Sequence, residues 1–511
     1  MAGPGRIQSL RVGALAQILP LATGYGANLL ATPFFVSQLG LHDFGIWAVT
    51  GAIAQYAGLF DLGVSRANTR YVALYHAQGR RDLEASVLGL SLGILGLVGT
   101  IIVLIPLVAS DVIASALHTP DHHLARDVAV AAAVVLVVGL ISRALVGAAF
   151  GRGRQVAGNV GLAAMSLLQI GGGIVGLTTG QGGLERFAIG TASGALVGSV
   201  AVVGALLLDE RTIPIGNPVR IPAREILAFG IRGQVSGAAD VITMQSGKIL
   251  AGLTAGPTAA GAYELGSRLA LGAQAFGGAA AVAMNTHLTH AFAASGLAGI
   301  RADYRRLTTR NAATAMFLPL LLVATGPFIV PLWLGQSMPT TTAVVCALGL
   351  AIAVNVSTGV CSAAAFAAGR TSAIAIAASC EAIAALAAAV PAGLAFGFPG
   401  IVAGLALVIA VGNVLSVAYL QRGLGIPFSW YLRAVAGPAC AGGTAVLCSL
   451  VVWTSAIPAD RGAALLPCVI TTCLFTAVYL GISWYRGYLP RFGHASRSPG
   501  AGSDTNDAPR L

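Results

Sequence analysis

The segment DVITMQSGKILAGLTAGPTAAGAYELGSRL, residues 240–269, decides the fold because it joins two apolar stretches through a Gly-Pro turn. It holds the single lysine of the chain, Lys248, and the carboxylates Asp240 and Glu264. Ionisable groups are costly in apolar surroundings, so they usually face a charged partner or a cavity. The segment therefore predicts a helical hairpin that carries charge into an apolar environment.

The composition of the whole chain excludes a soluble domain. Of its 511 residues 56% are hydrophobic and 9% are charged, with a mean hydropathy of +0.83, whereas soluble domains are about 25% charged. Apolar runs of more than about 18 residues recur, and each is long enough to cross a membrane as a helix. The chain is therefore predicted to be an all-α, multi-pass membrane protein of about 14 helices.

Breaks at charged residues, Pro and Gly place these spans. They are expected near 11–36, 43–64, 87–109, 127–149, 157–178, 185–208, 226–252, 258–292, 307–334, 339–367, 372–396, 399–420, 430–453 and 463–485.

The spans group into an N-terminal six-helix lobe (1–208), a cytoplasmic linker (209–224), a second six-helix lobe (225–420), two extra helices (421–485) and a disordered tail (486–511).

The net charge of +11 is explained by membrane orientation and not by nucleic acid. Most arginines fall in alternate short loops, with Arg143, Arg152 and Arg154 counted as one inner group. The loops on the other side hold only Arg126, Arg186 and Arg461. Positive residues mark the cytoplasmic side, so both termini are predicted to lie in the cytoplasm, with the protein in the cell (inner) membrane.

The two lobes share a weak internal repeat. Gly40, Gly45 and Trp47 recur as Gly256, Gly261 and Tyr263 at a constant offset of 216. An even number of spans per lobe starts both lobes on the same side, so we expect pseudo-symmetric lobes with a substrate site between them.

Three stretches carry a family resemblance. PFFVSQLGLHDFGIWAVTGAIAQYAGLFDLGVSRANTRYVA (33–73), the segment 240–269 and AAGRTSAIAIAASCEAIAALAAAVPAGLAFGFPGIVAGLAL (367–407) resemble the Wzx-like polysaccharide flippases of the multidrug/oligosaccharidyl-lipid/polysaccharide exporter superfamily. The fourteen-helix layout is similar to that of lipid II flippases.

The resemblance implies a transporter, not an enzyme. Its expected cargo is a polyprenyl-(pyro)phosphate-linked oligosaccharide, moved from the inner to the outer leaflet by alternating access for the synthesis of cell-envelope polysaccharide. The implied partners are the lipid-linked glycan, the bilayer and, beside the transporter, polysaccharide polymerase and glycosyltransferases. No cofactor is implied.

The charged residues of spans 7 and 8 are the candidate substrate site. Lys248 and Arg268, with Arg232 nearer the cytoplasm, are expected to attract the phosphate of the cargo, because cations outnumber carboxylates on these two helices. Asp240 and Glu264 are expected to pair with these cations until cargo arrives; Glu264 and Arg268 lie one helical turn apart. The alternative is that Lys248 extends outward and Glu264–Arg268 is a structural ion pair.

Other charged residues are candidates for gating or ion coupling. Glu381, in the middle of span 11, is a candidate proton or cation site, or else a hydrogen-bond partner of a neighbouring helix. Asp61 is a candidate cytoplasmic gate with Arg66 or Arg70, or else a cap. The motif HTPDHH (118–123) lacks the spacing of a structural metal site, so no metal is expected.

Three rival functions remain open in the sequence. A cation-coupled multidrug antiporter of the same superfamily needs an acidic cavity, but the first span holds no acid and only Gln17, Tyr25 and Asn28 as polar candidates. A membrane glycosyltransferase or polymerase needs carboxylates near a large outer loop, and the longest outer loop (110–126) offers little beyond Asp111 and Asp121. A non-transporting scaffold is a third reading.

Overall fold

The computed structural model describes residues 20, 22–61, 63–179, 183–208, 219–453 and 458–489, apart from the side chains of residues 22, 232, 233, 236, 278–283, 285 and 286. The predicted tail from residue 490 onward and most of the predicted linker, residues 209–218, lie outside this description.

Within these ranges every regular element is a helix. A π-helical turn, Ala22–Gly26, precedes the first α-helix, and a 3-10 turn, Gly58–Asp61, follows it. The α-helices are α1 (Ala27–Ala57), α2 (Val64–Ala77), α3 (Arg81–Val108), α4 (Ser110–Ala116), α5 (His122–Gly151), α6 (Gln155–Thr178), α7 (Leu184–Leu207), α8 (Ala223–Ala255), α9 (Pro257–Ala315), α10 (Phe317–Leu334), α11 (Pro339–Ser357), α12 (Gly359–Ala367), α13 (Thr371–Leu424), α14 (Phe428–Trp453) and α15 (Arg461–Tyr485).

Three of these helices are bent and each contains the junction of two segments. The backbone leaves the helical region at Gly40 in α1, at Ser295 and Gly296 in α9, and at Gly397 in α13. Among the described residues, nine helical stretches are long and apolar enough to cross a membrane, and residues 371–424 form one such stretch although they bend at Gly397. The hairpin helices α1 and α8 fall short because they are richer in polar and small residues. Divided at the bends, the helices agree with the predicted all-α fold of about 14 spans.

The repeated glycines form the same turn twice. Gly40 has φ 74° and ψ 167°, and Gly256 has φ 84° and ψ 172°, a conformation that glycine alone adopts without strain. A Cβ added at Gly45 would lie 1.8 Å from the carbonyl oxygen of Pro257, and one added at Gly261 would lie 2.5 Å from that of Leu41. Because residue 41 corresponds to residue 257 at the offset of 216, this contact is reciprocal, as a local two-fold axis requires.

Helix packing surrounds these two hairpins. In the first part of the chain α6 packs against α7, and α5 packs against α3 and α7. In the second part α9 packs against α11, and α8 packs against α13, while the last two helices pack against each other and against α10. The hairpins α1 and α8–α9 contact each other across the centre, so the two parts of the chain meet there.

The motif at residues 118–123 starts a helix. The Asp121 carboxylate accepts hydrogen bonds from the backbone N–H groups of His123 (2.9 Å) and Leu124 (3.0 Å), so Asp121 is the N-cap of α5. The bond from Leu124, with a smaller contribution from His123, lowers the pKa of this exposed carboxylate. His122 pairs with Asp111 at 3.0 Å, and a cluster able to hold a metal is not found in the described part of the chain.

Candidate functional site

A cavity of about 420 Å³ lies between the two hairpins. Residues of α1, α5 and α6 form one wall, and residues of α8 and α9 form the other. Its charged lining consists, as far as the chain is described, of Arg143, Lys248 and Arg268 against the single carboxylate Glu264. The lining of the cavity therefore carries an excess of positive charge, with Lys248 and Arg268 partly buried, and such charge acts more strongly there than in bulk water.

Glu264 links two of the cations into one cluster. Its carboxylate pairs with the ammonium group of Lys248 through one oxygen and with Nε of Arg268 at 2.7 Å through the other. The Lys248 side chain is 13% exposed and lines the cavity, so it does not extend outward from the protein. The turn at Gly256 brings the two helices together, because Lys248 and Glu264 both lie eight residues from it.

Arg268 also reaches the first hairpin. Its Nη1 donates to Oδ1 of Asn28 at 3.1 Å and to Oγ1 of Thr32 at 2.9 Å. Its guanidinium lies 5.2 Å from the centre of the Phe44 ring, within cation–π range. A ligand that takes Nη1 from these partners would therefore loosen the contact between the two parts of the chain.

Sequence reasoning missed Arg143 as a site residue. It was counted with an inner loop, but α5 continues to Gly151, so Arg143 lies two turns inside the helix and opens onto the cavity. The signal in the sequence is that residue 143 falls inside the span expected at 127–149, and a charged residue within a span usually faces a cavity or a partner.

The amide side chains of the cavity were also missed. Gln55, Gln169 and Gln245 line it, and Oε1 of Gln245 is buried with no hydrogen-bond partner among the described residues. Amide groups both donate and accept hydrogen bonds, so this lining suits hydroxyl-rich ligands. Glutamine is common in helices, and nothing in the sequence distinguished these three.

Asp240 lies apart from the Lys248–Glu264–Arg268 cluster, and its expected exchange of partners with the cations stays a prediction. It lies two helical turns from Lys248, about 12 Å along the axis. Its charged neighbour is Arg66, whose Nη2 lies 3.2 Å from a Cβ built at Gly237. Asp240 therefore belongs to the predicted cytoplasmic end of the site.

The remaining gate candidates, Asp61, Arg66 and Arg70, lie near that end, and the two arginines contact α8. Asp61 is buried and its Oδ1 accepts the Gly63 N–H at 2.8 Å, so it caps the turn; Arg66 and Arg143 are within electrostatic range. The Arg70 guanidinium lies 4.2 Å from the centre of the Phe229 ring. A Cβ at Gly63 would lie 2.1 Å from the Gly230 oxygen. Asp61 thus acts as a cap, while Arg66 and Arg70 contact the second part of the chain.

Glu381 is the end of a chain of amides that joins four helical segments. Asn413 Nδ2 donates to Glu381 Oε1 at 2.9 Å, Asn355 Nδ2 donates to Asn413 Oδ1 at 2.9 Å, and Gln274 Nε2 donates to Asn355 Oδ1 at 2.8 Å. A small pocket of about 30 Å³ adjoins these groups, and Asp240 is within electrostatic range of Glu381. The remaining candidate, Arg232, has a side chain outside the described residues.

A comparison with protein families decides the identity of the chain. Residues 13–284 match the family described as polysaccharide biosynthesis protein, which is more than half of the sequence. The chain belongs to this family. None of the curated proteins compared with it matches significantly.

Solved structures share the fold of this family member at low sequence identity. A multidrug resistance MATE family transporter of the MOP superfamily, in an inward-facing conformation, has a TM-score of 0.66 at 16% identity, over 81% of this chain and 98% of that one. The lipid II flippase MurJ, inward closed, has a TM-score of 0.65 at 15% identity, over 94% and 99%. A MOP superfamily transporter from Pyrococcus furiosus, described as having a binding pocket of reversed polarity, has a TM-score of 0.59 at 16% identity, over 82% and 95%.

These findings confirm the predicted resemblance. The chain is a member of the polysaccharide biosynthesis family, and its described residues have the all-α fold of a MATE family transporter and of the lipid II flippase MurJ. Its long apolar helices make it a multi-pass membrane protein. The MurJ match covers 94% of this chain and the MATE match covers 81%. The difference is about the length of the two helices that follow residue 421, in agreement with the fourteen-helix layout.

Proposed function

We propose that this protein moves a polyprenyl-(pyro)phosphate-linked oligosaccharide from the inner to the outer leaflet of the cell (inner) membrane by alternating access, for cell-envelope polysaccharide biosynthesis. The single observation that carries the proposal is the cavity between the hairpins, where Arg143, Lys248 and Arg268 face one carboxylate among the described lining residues. A phosphate that enters this cavity loses hydration, and charge-assisted hydrogen bonds from the cations offset that cost.

Binding works by exchange of partners. Glu264 neutralises Lys248 and Arg268 in the unliganded protein, so the cations are not left unpaired in an apolar region. An entering phosphate replaces Glu264 at Lys248 and takes the Nη1 donors of Arg268 from Asn28 and Thr32. Since those two residues belong to α1, cargo binding releases a contact between the two parts of the chain. Arg232 belongs to the part of α8 nearer the predicted cytoplasmic end. We propose that it is the first residue to attract the headgroup.

The predicted cytoplasmic gate consists of contacts between α2 and α8. Arg66 lies against Gly237 and near Asp240, and Arg70 stacks on Phe229. These contacts must break for the cavity to open towards the cytoplasm, with Asp61 holding the turn that positions them. Both termini are proposed to be cytoplasmic, on the same side as this gate.

Energy coupling is assigned to Glu381 and Asp240. Glu381 is hydrogen-bonded by Asn413 next to a small pocket, and Asp240 lies within electrostatic range of both Glu381 and Arg66. Loading a proton or a cation at these carboxylates reduces the attraction between Asp240 and Arg66, which favours opening at the predicted cytoplasmic end. A transport assay with imposed sodium or pH gradients tests this step, and Glu381→Gln is expected to remove the dependence on the gradient.

The cavity charge separates the proposal from its rivals. A multidrug antiporter for cationic drugs requires an acidic cavity, and the described lining is cationic instead. A drug-efflux assay in a sensitised host is expected to show no resistance conferred by this chain. Polysaccharide polymerase and glycosyltransferases are proposed as neighbouring enzymes of the pathway, because the cargo must be made on one leaflet and used on the other.

The proposal is tested in proteoliposomes with a fluorescent lipid-linked oligosaccharide, whose exposure at the outer leaflet is read by quenching. The wild-type chain is expected to accelerate translocation, Lys248→Arg to retain it, and Lys248→Glu to abolish it. Arg486→Glu, an exposed charge beyond the last helix, is the matched control and is expected to transport normally. Normal transport by both Lys248→Ala and Lys248→Glu contradicts the proposed role of the cavity.

A further inference from the structure

A second pocket of about 140 Å³ adjoins the main cavity. The two share Trp47, Gln169 and Arg268, so they are parts of one space with Arg268 at the junction. The second pocket extends towards the turn at Gly40, since Phe35 and Phe44 of its lining flank that turn. A group attached to a phosphate at Arg268 therefore has this pocket beside it.

Four aromatic side chains line the pocket, and of these Trp47 is the accessible one. Phe35, Phe44 and Phe187 are 4%, 1% and 2% exposed, and they are held by the surrounding helices. The Phe187 ring meets the Trp47 ring edge-on, with centroids 5.3 Å apart at 78°, and the Phe35 ring at 4.9 Å and 62°. Trp47 is only partly buried and lines both spaces. The buried rings thus fix the orientation of the accessible one.

Polar side chains line the pocket beside the Trp47 ring, and none of the described ones is a carboxylate. Asn28, Gln169 and Thr191 contribute amide and hydroxyl groups, and Arg268 contributes the one charge. Gln245 adds an unpartnered buried acceptor in the adjoining cavity. An aromatic face with a few convergent amides is the arrangement that orients a small polar ligand in a pocket.

We propose that this pocket binds the sugar ring directly attached to the lipid phosphate, with Trp47 against the C–H face of the ring and Gln169 bonded to its hydroxyl edge. This inference rests on the proposed function, because it takes the phosphate to bind at Arg268. A pyranose offers one apolar face and a rim of hydroxyl groups, so it matches an aromatic ring beside amides. An isoprenyl tail matches less well, since it offers no hydrogen-bond partner to the amide of Gln169.

The test compares two kinds of probe on the purified full chain in nanodiscs. One probe is sugar-free undecaprenyl pyrophosphate, and the others carry a single glucose, galactose or N-acetylglucosamine on the pyrophosphate. At least one sugar-bearing probe is expected to bind about fivefold more tightly than the sugar-free one. Trp47→Leu is expected to weaken the sugar-bearing probe more than the sugar-free one and so to remove that difference, and Trp47→Phe to retain part of it.

A control variant and a second test variant accompany Trp47→Leu. Trp484→Leu removes a ring that is 57% exposed on the last helix and is expected to change neither affinity. If Trp47→Leu does not give a monodisperse protein, Gln169→Leu, which removes the amide at similar size, is expected to remove the same difference.

The inference is overturned if no sugar-bearing probe binds more tightly than the sugar-free one, or if Trp47→Leu and Gln169→Leu weaken both kinds of probe equally. The proposed function fails separately, by absence of binding of sugar-free undecaprenyl pyrophosphate or by an unchanged affinity in Lys248→Gln.

Discussion

The two central hairpins have the same backbone and different chemistry. The first is α1 with its turn at Gly40, and the second is α8 and the start of α9 with the turn at Gly256; the φ and ψ values at the two turns agree within about 10°. Gly45 and Gly261 each approach the backbone of the other hairpin. The scaffold is therefore duplicated down to the contact that holds the hairpins together.

The charges are not duplicated. At the offset of 216, Lys248, Glu264 and Arg268 correspond to Thr32, Ala48 and Ala52. Thr32 is a hydrogen-bond partner of Arg268, and Ala48 lines the same cavity as Glu264. One hairpin thus supplies the charges and the other supplies a neutral wall with a hydroxyl group and the Trp47 ring. A symmetric scaffold thus carries an asymmetric set of charges: the fold requires the glycines, and we propose that the charges serve the cargo.

The largest effect is expected where the charged hairpin is broken. Glu264→Gln leaves Lys248 and Arg268 close together without their shared carboxylate, and removing one partner of a buried ion pair costs about 3 kcal/mol of unfolding free energy. Denaturation in mixed micelles measures it. Glu185→Gln, an exposed carboxylate at the start of α7, is the control and is expected to be near neutral. Equal stability of the two variants contradicts the account of the cluster.

The second prediction tests the duplicated scaffold. Gly45→Ala and Gly261→Ala each place a Cβ on the facing backbone, and overpacking of this kind costs about 2 kcal/mol. Both variants are expected to lose similar stability in the same denaturation assay. Gly51→Ala, on the same hairpin with open space around its Cβ, is expected to be neutral or slightly stabilising, since alanine favours helix. A cost at one glycine only would show that the contact is not reciprocal.

The third prediction concerns the bond between the two hairpins. Thr32→Val keeps the shape of the side chain and removes the oxygen that accepts from Arg268 at 2.9 Å, which costs about 1 kcal/mol. Thr50→Val is the matched control, because Thr50 is also buried in α1 but its hydroxyl bonds only to Ile46 of its own helix among the described contacts. Equal losses in the two variants would show that the contact with Arg268 does not stabilise the hairpin pair.

The smallest effect is expected at the turn itself. The first turn carries an exposed His42–Asp43 pair at 3.0 Å, and the second carries uncharged Thr258 and Ala259 instead. Exposed pairs contribute little, so His42→Ala is expected to change the unfolding free energy by less than about 0.5 kcal/mol. A loss above about 1 kcal/mol at physiological salt would mean that the two turns differ in more than sequence.

The sequence predicts the hairpins well because their signals are local. Glycine at a turn, an apolar run of helical length and a carboxylate one turn from an arginine all depend on neighbours along the chain. For the same reason Glu264 and Arg268 were paired from spacing alone. The roles of all the site residues stay predictions.

What the sequence does not predict depends on contacts between distant helices. Arg143 enters the cavity from α5, and Asp240 faces Arg66 of α2, although neither contact leaves a trace in residue spacing. The amide chain from Glu381 to Gln274 joins residues more than a hundred positions apart. Helix packing determines which distant residues become neighbours, and a single sequence does not predict that packing.

The most direct test of the central claim, that the charged hairpin holds the phosphate of the cargo, is a cryo-EM map of the purified chain with undecaprenyl pyrophosphate. The account predicts phosphate density between Lys248 and Arg268, with Glu264 displaced and the bonds from Arg268 to Asn28 and Thr32 broken. Density elsewhere, with the Lys248–Glu264–Arg268 cluster intact and the cavity unchanged, would contradict it.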